Sequence, residues 1–323
     1  MLICFGTRPE YIKVKSLINN LPNIKTCFTG QHKDLLNNVN VDYHIEFKES
    51  FSSNRLNDII IHILKNTYIF DKIDNVIVQG DTTTALAIAL SAYNSNIKVI
   101  HLEAGLRTNN IYDPFPEELN RQLISRITNI HLCPTINNKK NLLNENIIES
   151  KIFVVGNTGL DNITKDDCEY TNKILITLHR RNNLPIIKDW FNVIDNIAFN
   201  NPNIEFILPI HPNPEVKKYK NTLKNVNVIE PLSHEDIIKI IKKCKFIISD
   251  SGGIQEEACF LNKKIIICRI DTERPEVLEN HGVLCKTPDE LPSIFNEINN
   301  NYIVNAECPF GDGNSYKKII QIL

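Results

Sequence analysis

Short, mainly apolar runs of four or five residues recur along the chain and constrain its fold more than any other feature. They are Leu2–Phe5, Asn75–Val78, Lys98–Leu102, Ile130–Cys133 and Ile152–Val155 in the first half. In the second half they are Lys173–Thr177, Glu205–Pro209, Val226–Ile229, Phe246–Ser249 and Lys264–Cys268. Runs without polar alternation predict strands buried on both faces. Helical periodicity fills the intervals, as in Asp189–Ala198 and His234–Lys243. Repeated strand–helix units with short loops predict parallel sheets wound on both sides, an α/β architecture. At about 150 residues per domain, 323 residues make two such domains. The turn residues of Gly156–Asn162 mark the seam.

Composition removes several functional classes. Thirty-six Lys and Arg against 38 Asp and Glu leave a net charge of −2, no footprint for nucleic acid or an anionic membrane. No stretch approaches the roughly 18 apolar residues of a spanning helix. The first ten residues, MLICFGTRPE, reach Arg8 and Glu10 too early for a signal peptide and read as a buried strand. Nine scattered cysteines without a C-x-x-C pair point to small hydrophobes in a reducing cytoplasm, not to disulfides or a metal site.

In open α/β sheets ligands bind beyond the carboxyl ends of the strands, and the chemistry-bearing residues gather there. Gly6-Thr7-Arg8-Pro9-Glu10 follows the first strand, with Arg8 at a helix mouth and Lys13 one turn on. No G-x-G-x-x-G accompanies it, so a dinucleotide fingerprint is absent. Asp81 follows Gly80 after the Asn75–Val78 run and reads locally as a helix N-cap. Glu103 follows Lys98–Leu102, and Glu117 and Arg121 share one helix face at i, i+4. In the second half His179 precedes Arg180 and Arg181 at a strand end, while His211 in His-Pro-Asn-Pro reads as rigid loop chemistry. The sharpest local signal is Asp250-Ser251-Gly252-Gly253. There a buried strand opens through two glycines into a helix whose N–H groups and dipole suit a phosphate. Glu257, one turn later, is placed to accept from ribose hydroxyls, and Arg274 adds a cation after the next strand.

Together these segments resemble the non-hydrolysing UDP-N-acetylglucosamine 2-epimerases. The matching motifs run in order: GTRPE (Gly6–Glu10), Gln31-His32, GDTTT (Gly80–Thr84), EAGLRT (Glu103–Thr108) and P-x-PEE-x-NR (Pro114–Arg121). They continue with GNT (Gly156–Thr158), HRR (His179–Arg181), DSGGIQEE (Asp250–Glu257), TERPE (Thr272–Glu276) and P-x-GDG (Pro309–Gly313). The resemblance implies a GT-B-like fold of two Rossmann-type domains with a cleft between them. Residues 1–160 plus 312–323 would form the first, with a returning C-terminal helix, and 161–311 the UDP-binding second. It implies a homodimer acting on a UDP-sugar without a redox cofactor. It also implies catalytic roles for Asp81, Glu103, Glu117 and His179. By the same matching Arg8, Lys13, Arg121 and Arg274 hold the diphosphate or orient those carboxylates. Ser251, Gly252 and Gly253 donate to phosphate, Glu257 binds ribose, and backbone groups of Leu232 and Ile237 read the uracil.

The chain departs from the family pattern in places. Asn182-Asn183 follows HRR where Glu-Asn is usual, and Ile237 stands where Phe is common. His62 stands where relatives that bind a second, activating nucleotide carry an Arg, which argues against such activation here. The expected reaction is C2 inversion of UDP-GlcNAc to UDP-ManNAc. The nearest alternative is the same inversion on a UDP-2-acetamido-2,6-dideoxy-L-hexose. A GT-B glycosyltransferase, or a sugar-nucleotide sensor, would have no use for carboxylates at 81, 103 and 117 together.

Overall fold

The computed structural model describes residues 1–31, 39–47 and 50–323. Thirteen strands are described: β1 (Leu2–Phe5), β2 (Lys25–Phe28), β3 (Tyr43–His44), β4 (Asn75–Gln79), β5 (Lys98–Leu102), β6 (Ile130–Cys133) and β7 (Ile152–Val154). The remainder are β8 (Lys173–Thr177), β9 (Glu205–Pro209), β10 (Asn227–Ile229), β11 (Phe246–Ser249), β12 (Lys264–Ile267) and β13 (Gly282–Leu284). They form two sheets, ordered β3-β2-β1-β4-β5-β6-β7 and β10-β9-β8-β11-β12-β13. Every pairing in both is parallel. The chain divides into two compact units, Met1–Asn162 with Gly311–Leu323, and Ile163–Phe310. All ten apolar runs are strands, several to the residue.

Three strands escape the apolar-run criterion. β2 reads Lys-Thr-Cys-Phe, β3 is two residues long and β13 is Gly-Val-Leu. β3 and β13 are edge strands, and β2 is fixed by its register with β1, Leu2 opposite Lys25 through Phe5 opposite Phe28. Pairing with a neighbour, rather than their own hydrophobicity, makes these segments extended.

In the first unit, alternate residues of each strand feed two cores. Leu2, Cys4, Val76, Val78 and Val99 pack on one face with Ile59, Ile63, Ile88 and Ile124. Ile3, Phe5, Ile77, Ile100 and Leu132 pack on the other with Val14, Leu17 and Ile319. Ile319 belongs to the C-terminal helix Ser315–Ile322. Its first two N–H groups donate to Asp161 at 2.8 Å each, satisfying orphan donors of the first turn. In the second unit Ile174, Ile176, Leu208, Phe246 and Ile248 enclose Trp190, Phe191 and Phe295. Seven of the nine free cysteines are buried, and burial pushes the Cys133 and Cys244 thiols up to about 12. No helix of the described residues is long and apolar enough to cross a membrane.

Gly105 shows how tightly the first sheet's carboxyl edge is built. It has φ +89°, and a Cβ there would lie 2.2 Å from the Asn138 carbonyl oxygen. Asn141 Nδ2 donates to the Gly105 carbonyl at 2.9 Å, closing the loop from the other side. Gly105→Ala combines left-handed strain with a backbone clash. It should destabilise the chain by at least about 2 kcal/mol, read as a lower midpoint in urea unfolding followed by circular dichroism. A wild-type midpoint would refute the packing argument.

Candidate active site

Strand order reverses between β1 and β4 in the first sheet and between β8 and β11 in the second. Diverging crossovers at such a switch point leave room for a ligand at the strands' carboxyl ends. The two clusters are built there, each in its own unit.

In the first unit the helix Arg8–Asn20 starts with a reciprocal capping box. Thr7 Oγ1 accepts from Glu10 N–H, and Glu10 Oε2 accepts from the Gly6 and Thr7 N–H groups at 2.8 and 2.7 Å. The other Glu10 oxygen accepts from Thr82 Oγ1 at 2.6 Å. One buried carboxylate therefore fixes the loops after β1 and β4 against each other. Burial raises its pKa, and those hydrogen bonds offset only part of the rise. Thr82 caps the helix Thr83–Asn94, accepting from Ala85 N–H at 3.0 Å. The local reading of Asp81 as the N-cap is thus corrected: Thr82 fills that role and leaves the Asp81 carboxylate available.

Asp81 instead accepts from Arg121 Nη2 at 2.6 Å, and Asn120 Nδ2 donates to its carbonyl at 2.8 Å. Both partners come from the helix Glu117–Ile127, whose i, i+4 spacing turns Arg121 toward Asp81. The same guanidinium lies 3.2 Å from Glu118 Oε2, which also accepts from the Thr108 N–H, while Glu118 Oε1 accepts from the Asn109 N–H. Glu117, the first helical residue, is half-buried. Glu103 sits just past β5 at φ +67°, a conformation that costs a non-glycine residue about 1–2 kcal/mol. Lys13 Nζ and Gln79 Nε2 donate to its two oxygens and hold it there. Lys13 and Arg121 therefore lie against carboxylates, while Arg8 is exposed at the first turn of its helix.

Behind this edge His101 and His131 stand in register on β5 and β6, both fully buried. His101 Nε2 bonds the Gly80 carbonyl at 2.7 Å, while neither ring nitrogen of His131 meets a partner among the described residues. Burial lowers the pKa of His101 to about 4 and that of His131 to about 3, with mutual repulsion adding to the second shift.

In the second unit Asp250 is fully buried and accepts from the His179 and Arg180 N–H groups at 2.9 and 2.8 Å and from Asn183 Nδ2 at 3.0 Å. Asp250 thereby shapes the loop after β8 from the end of β11. His179 Nδ1 lies 3.6 Å from Asp250 Oδ1, and its ring stacks on His211 at 4.7 Å and 8°. The reading of His211 as loop chemistry missed this stack; its flanking prolines gave no sign of it. Burial, then the neighbouring His179, lowers the His211 pKa.

The helix Gly252–Phe260 opens with Ser251 making no side-chain cap. A Cβ on Gly252 would sit 2.7 Å from Arg274 Nη1 and 3.2 Å from Arg180 Nη2, whereas one on Gly253 would meet nothing within 4 Å. Two guanidinium groups beside free helical N–H groups suit a phosphate or diphosphate. Buried Glu273 binds Arg274 and Arg269 and lies 3.6 Å from Arg180. Burial would raise its carboxyl, but the three cations more than offset that and hold it well below the usual range. Arg274 Nε also donates to Glu256 at 2.7 Å. Sequence reasoning missed Glu273 and Asp250 as organisers; each lies inside a quoted motif, but the motif alone does not say what it touches. Leu232 and Ile237 flank the start of the helix His234–Lys243, both partly buried.

Gln31 Oε1 accepts from Thr84 Oγ1 at 2.8 Å, and His32 lies outside the described residues. His62 is buried, with Phe47 and Phe51 rings 4.9 and 5.0 Å away.

This arrangement is that of a nucleotide-sugar enzyme: a glycine-opened helix entry beside two guanidinium groups in one Rossmann-type unit and ion-paired carboxylates in the other. The family model for UDP-N-acetylglucosamine 2-epimerase matches residues 18–323, and the chain belongs to that family. A UDP-N-acetylglucosamine 2-epimerase of Campylobacter jejuni is 37% identical over 375 aligned positions, spanning 100% of this chain and 97% of that protein. The crystal structure of the Neisseria meningitidis UDP-GlcNAc 2-epimerase bound to UDP-GlcNAc is 35% identical, with a TM-score of 0.89 over 99% of this chain and 98% of that one. Acinetobacter baumannii MurG, at 12% identity and a TM-score of 0.61 over 100% and 98% of the two chains, shares the GT-B-like fold alone.

The buried histidines make stability pH-dependent. Folded, His101 stays neutral down to about pH 4, whereas the unfolded chain protonates it near its ordinary 6.5. The unfolded state therefore binds more protons between these values, so stability is complete above pH 6.5 and falls as the pH drops toward 4. Each such histidine contributes on the order of 3 kcal/mol to that loss. His131→Leu should leave urea stability at pH 7.5 unchanged or higher, because an unpaired imidazole is replaced by an apolar group, and should flatten the loss between pH 6.5 and 5. A variant as acid-sensitive as the wild type would refute the assignment.

Proposed function

We propose that the chain inverts C2 of UDP-GlcNAc to give UDP-ManNAc without releasing free sugar. The observation that carries this reading is the retention of Asp81, Glu103 and Glu117 in one unit together with the Ser251–Gly253 helix entry and its arginines in the other. A binder or a glycosyltransferase has no use for the first set. C2 of the sugar carries no adjacent carbonyl, so direct deprotonation is too costly. The feasible route removes the C2 proton while the C1–O bond to UDP breaks, giving a 2-acetamidoglucal. A proton then adds to the opposite face of C2 as the diphosphate oxygen reattacks C1. No water is consumed and no redox cofactor is required.

In this scheme Arg274, Ser251, Gly252, Gly253 and Arg8 stabilise departing UDP, with Glu257 on ribose and the Leu232–Ile237 backbone on uracil. Asp81, Glu103 and Glu117 with His179 supply the acid and base groups. Arg121 and Lys13 orient Asp81 and Glu103.

The apolar face of the helix Glu117–Ile127 supports a homodimer. Leu119 and Leu123, one turn apart, are exposed, as are Ile111, Tyr112 and Phe115 in the preceding loop. Light scattering should give twice the 37.0 kDa chain mass, and Leu123→Glu should return the monomer; a monomeric wild type would refute the pairing.

Proton NMR of the protein with UDP-GlcNAc in D2O should show UDP-ManNAc deuterated at C2, with no free ManNAc. Asp81→Asn and Glu117→Gln should each slow turnover by about 10²–10⁴-fold while UDP still binds by calorimetry. Epimerisation at the wild-type rate by both would remove these carboxylates from the mechanism.

A further inference from the structure

His234 is the first residue of the helix His234–Lys243, and Ser233 fixes that start by accepting from Asp236 N–H at 3.1 Å. The imidazole Nε2 lies 2.7 Å from Glu257 Oε1 on the helix Gly252–Phe260. Both side chains are mostly covered, at 23% and 13% exposure. Neither was linked to the other by the sequence, where 22 residues separate them.

The position of this contact matters. His234 stands between Leu232 and Ile237, whose backbone is assigned to the base. Glu257 is assigned to ribose and lies about one turn beyond the glycines assigned to phosphate. A single hydrogen bond therefore joins the base-reading segment to the sugar-reading side chain. A carboxylate offers two oxygens and about four acceptor sites; the imidazole N–H occupies one, leaving Oε2 and a further lone pair for hydroxyl donors.

Resting on the UDP-sugar reading above, we infer that His234 is a positioning residue for nucleoside recognition: it donates from Nε2 to Glu257 and holds that carboxylate in the rotamer that accepts the ribose hydroxyls. An untethered glutamate on a helix surface samples several rotamers, and a ligand must freeze one of them on binding. The tethered side chain is ordered beforehand, so the ribose contact forms at lower entropic cost. A bond that merely ties two helices together would instead affect stability and all ligands alike.

Calorimetry on the full chain with UDP and with 2′,3′-dideoxy-UDP separates these roles. The wild type should prefer UDP by about tenfold or more, the size of a good polar contact, and Glu257→Ala should erase that preference. Equal binding of the two ligands by the wild type would overturn the assignment of Glu257 to ribose, and the inference with it. His234→Phe, which keeps ring volume without a donor, should weaken UDP binding about five- to tenfold and leave 2′,3′-dideoxy-UDP unchanged. His234→Gln, which keeps an N–H donor, should recover part of the preference. With the wild-type preference intact, a His234→Phe variant that weakens both ligands equally, or neither, would overturn the positioning role alone.

Discussion

Every described strand of both sheets runs parallel to its neighbours, and the central strands β1, β4, β8 and β11 are buried on both faces; this constraint decides where polar chemistry can stand. A buried parallel strand has no room for a charge along its length. Carboxylates and cations are driven to the carboxyl edge, where each chain segment leaves its sheet to begin a helix. At that edge the crossovers diverge between β1 and β4 and between β8 and β11, and the segments of interest start there.

What stabilises the edge is a pair of buried carboxylates that never need to touch a substrate. Glu10 takes N–H groups from the turn after β1 and a hydroxyl from the turn after β4. Asp250 does the corresponding task from β11 for the loop that carries His179. Each converts unsatisfied backbone donors into a fixed loop, as the desolvation cost of buried N–H groups requires. Glu273 adds the electrostatic counterpart, a single anion shared by Arg180, Arg269 and Arg274 that offsets part of their mutual repulsion. Ion pairing of Asp81 to Arg121 and Glu103 to Lys13 shows the same economy, because one contact both orients the carboxylate and gives its partly buried charge a partner.

Much of this was legible beforehand because the strands are buried on both faces. Continuous Val, Ile and Leu runs have few other structural meanings, so ten strands were read close to their ends. The exceptions are informative: β2, β3 and β13 have weak sequences and exist because a neighbour offers a ladder. Asp81 was misread as a cap because Asp and Thr are near-equal cap formers. Only the geometry shows Thr82 taking the N–H and freeing the acid. His211 and Glu273 were invisible as partners, since a ring stack or a three-arginine cluster leaves no local periodicity.

The sequence by itself determined the fold class, the order of the motifs and the residue types at the strand ends, because hydrophobic periodicity and turn chemistry are local properties. Tertiary structure alone decided which charges meet: Lys13 with Glu103, Arg121 with Asp81, His234 with Glu257. Those partners lie 90, 40 and 23 positions apart. Nothing within one strand or helix encodes them. They are set when parallel crossovers bring separate strand ends side by side, and burial there leaves each charge needing a partner.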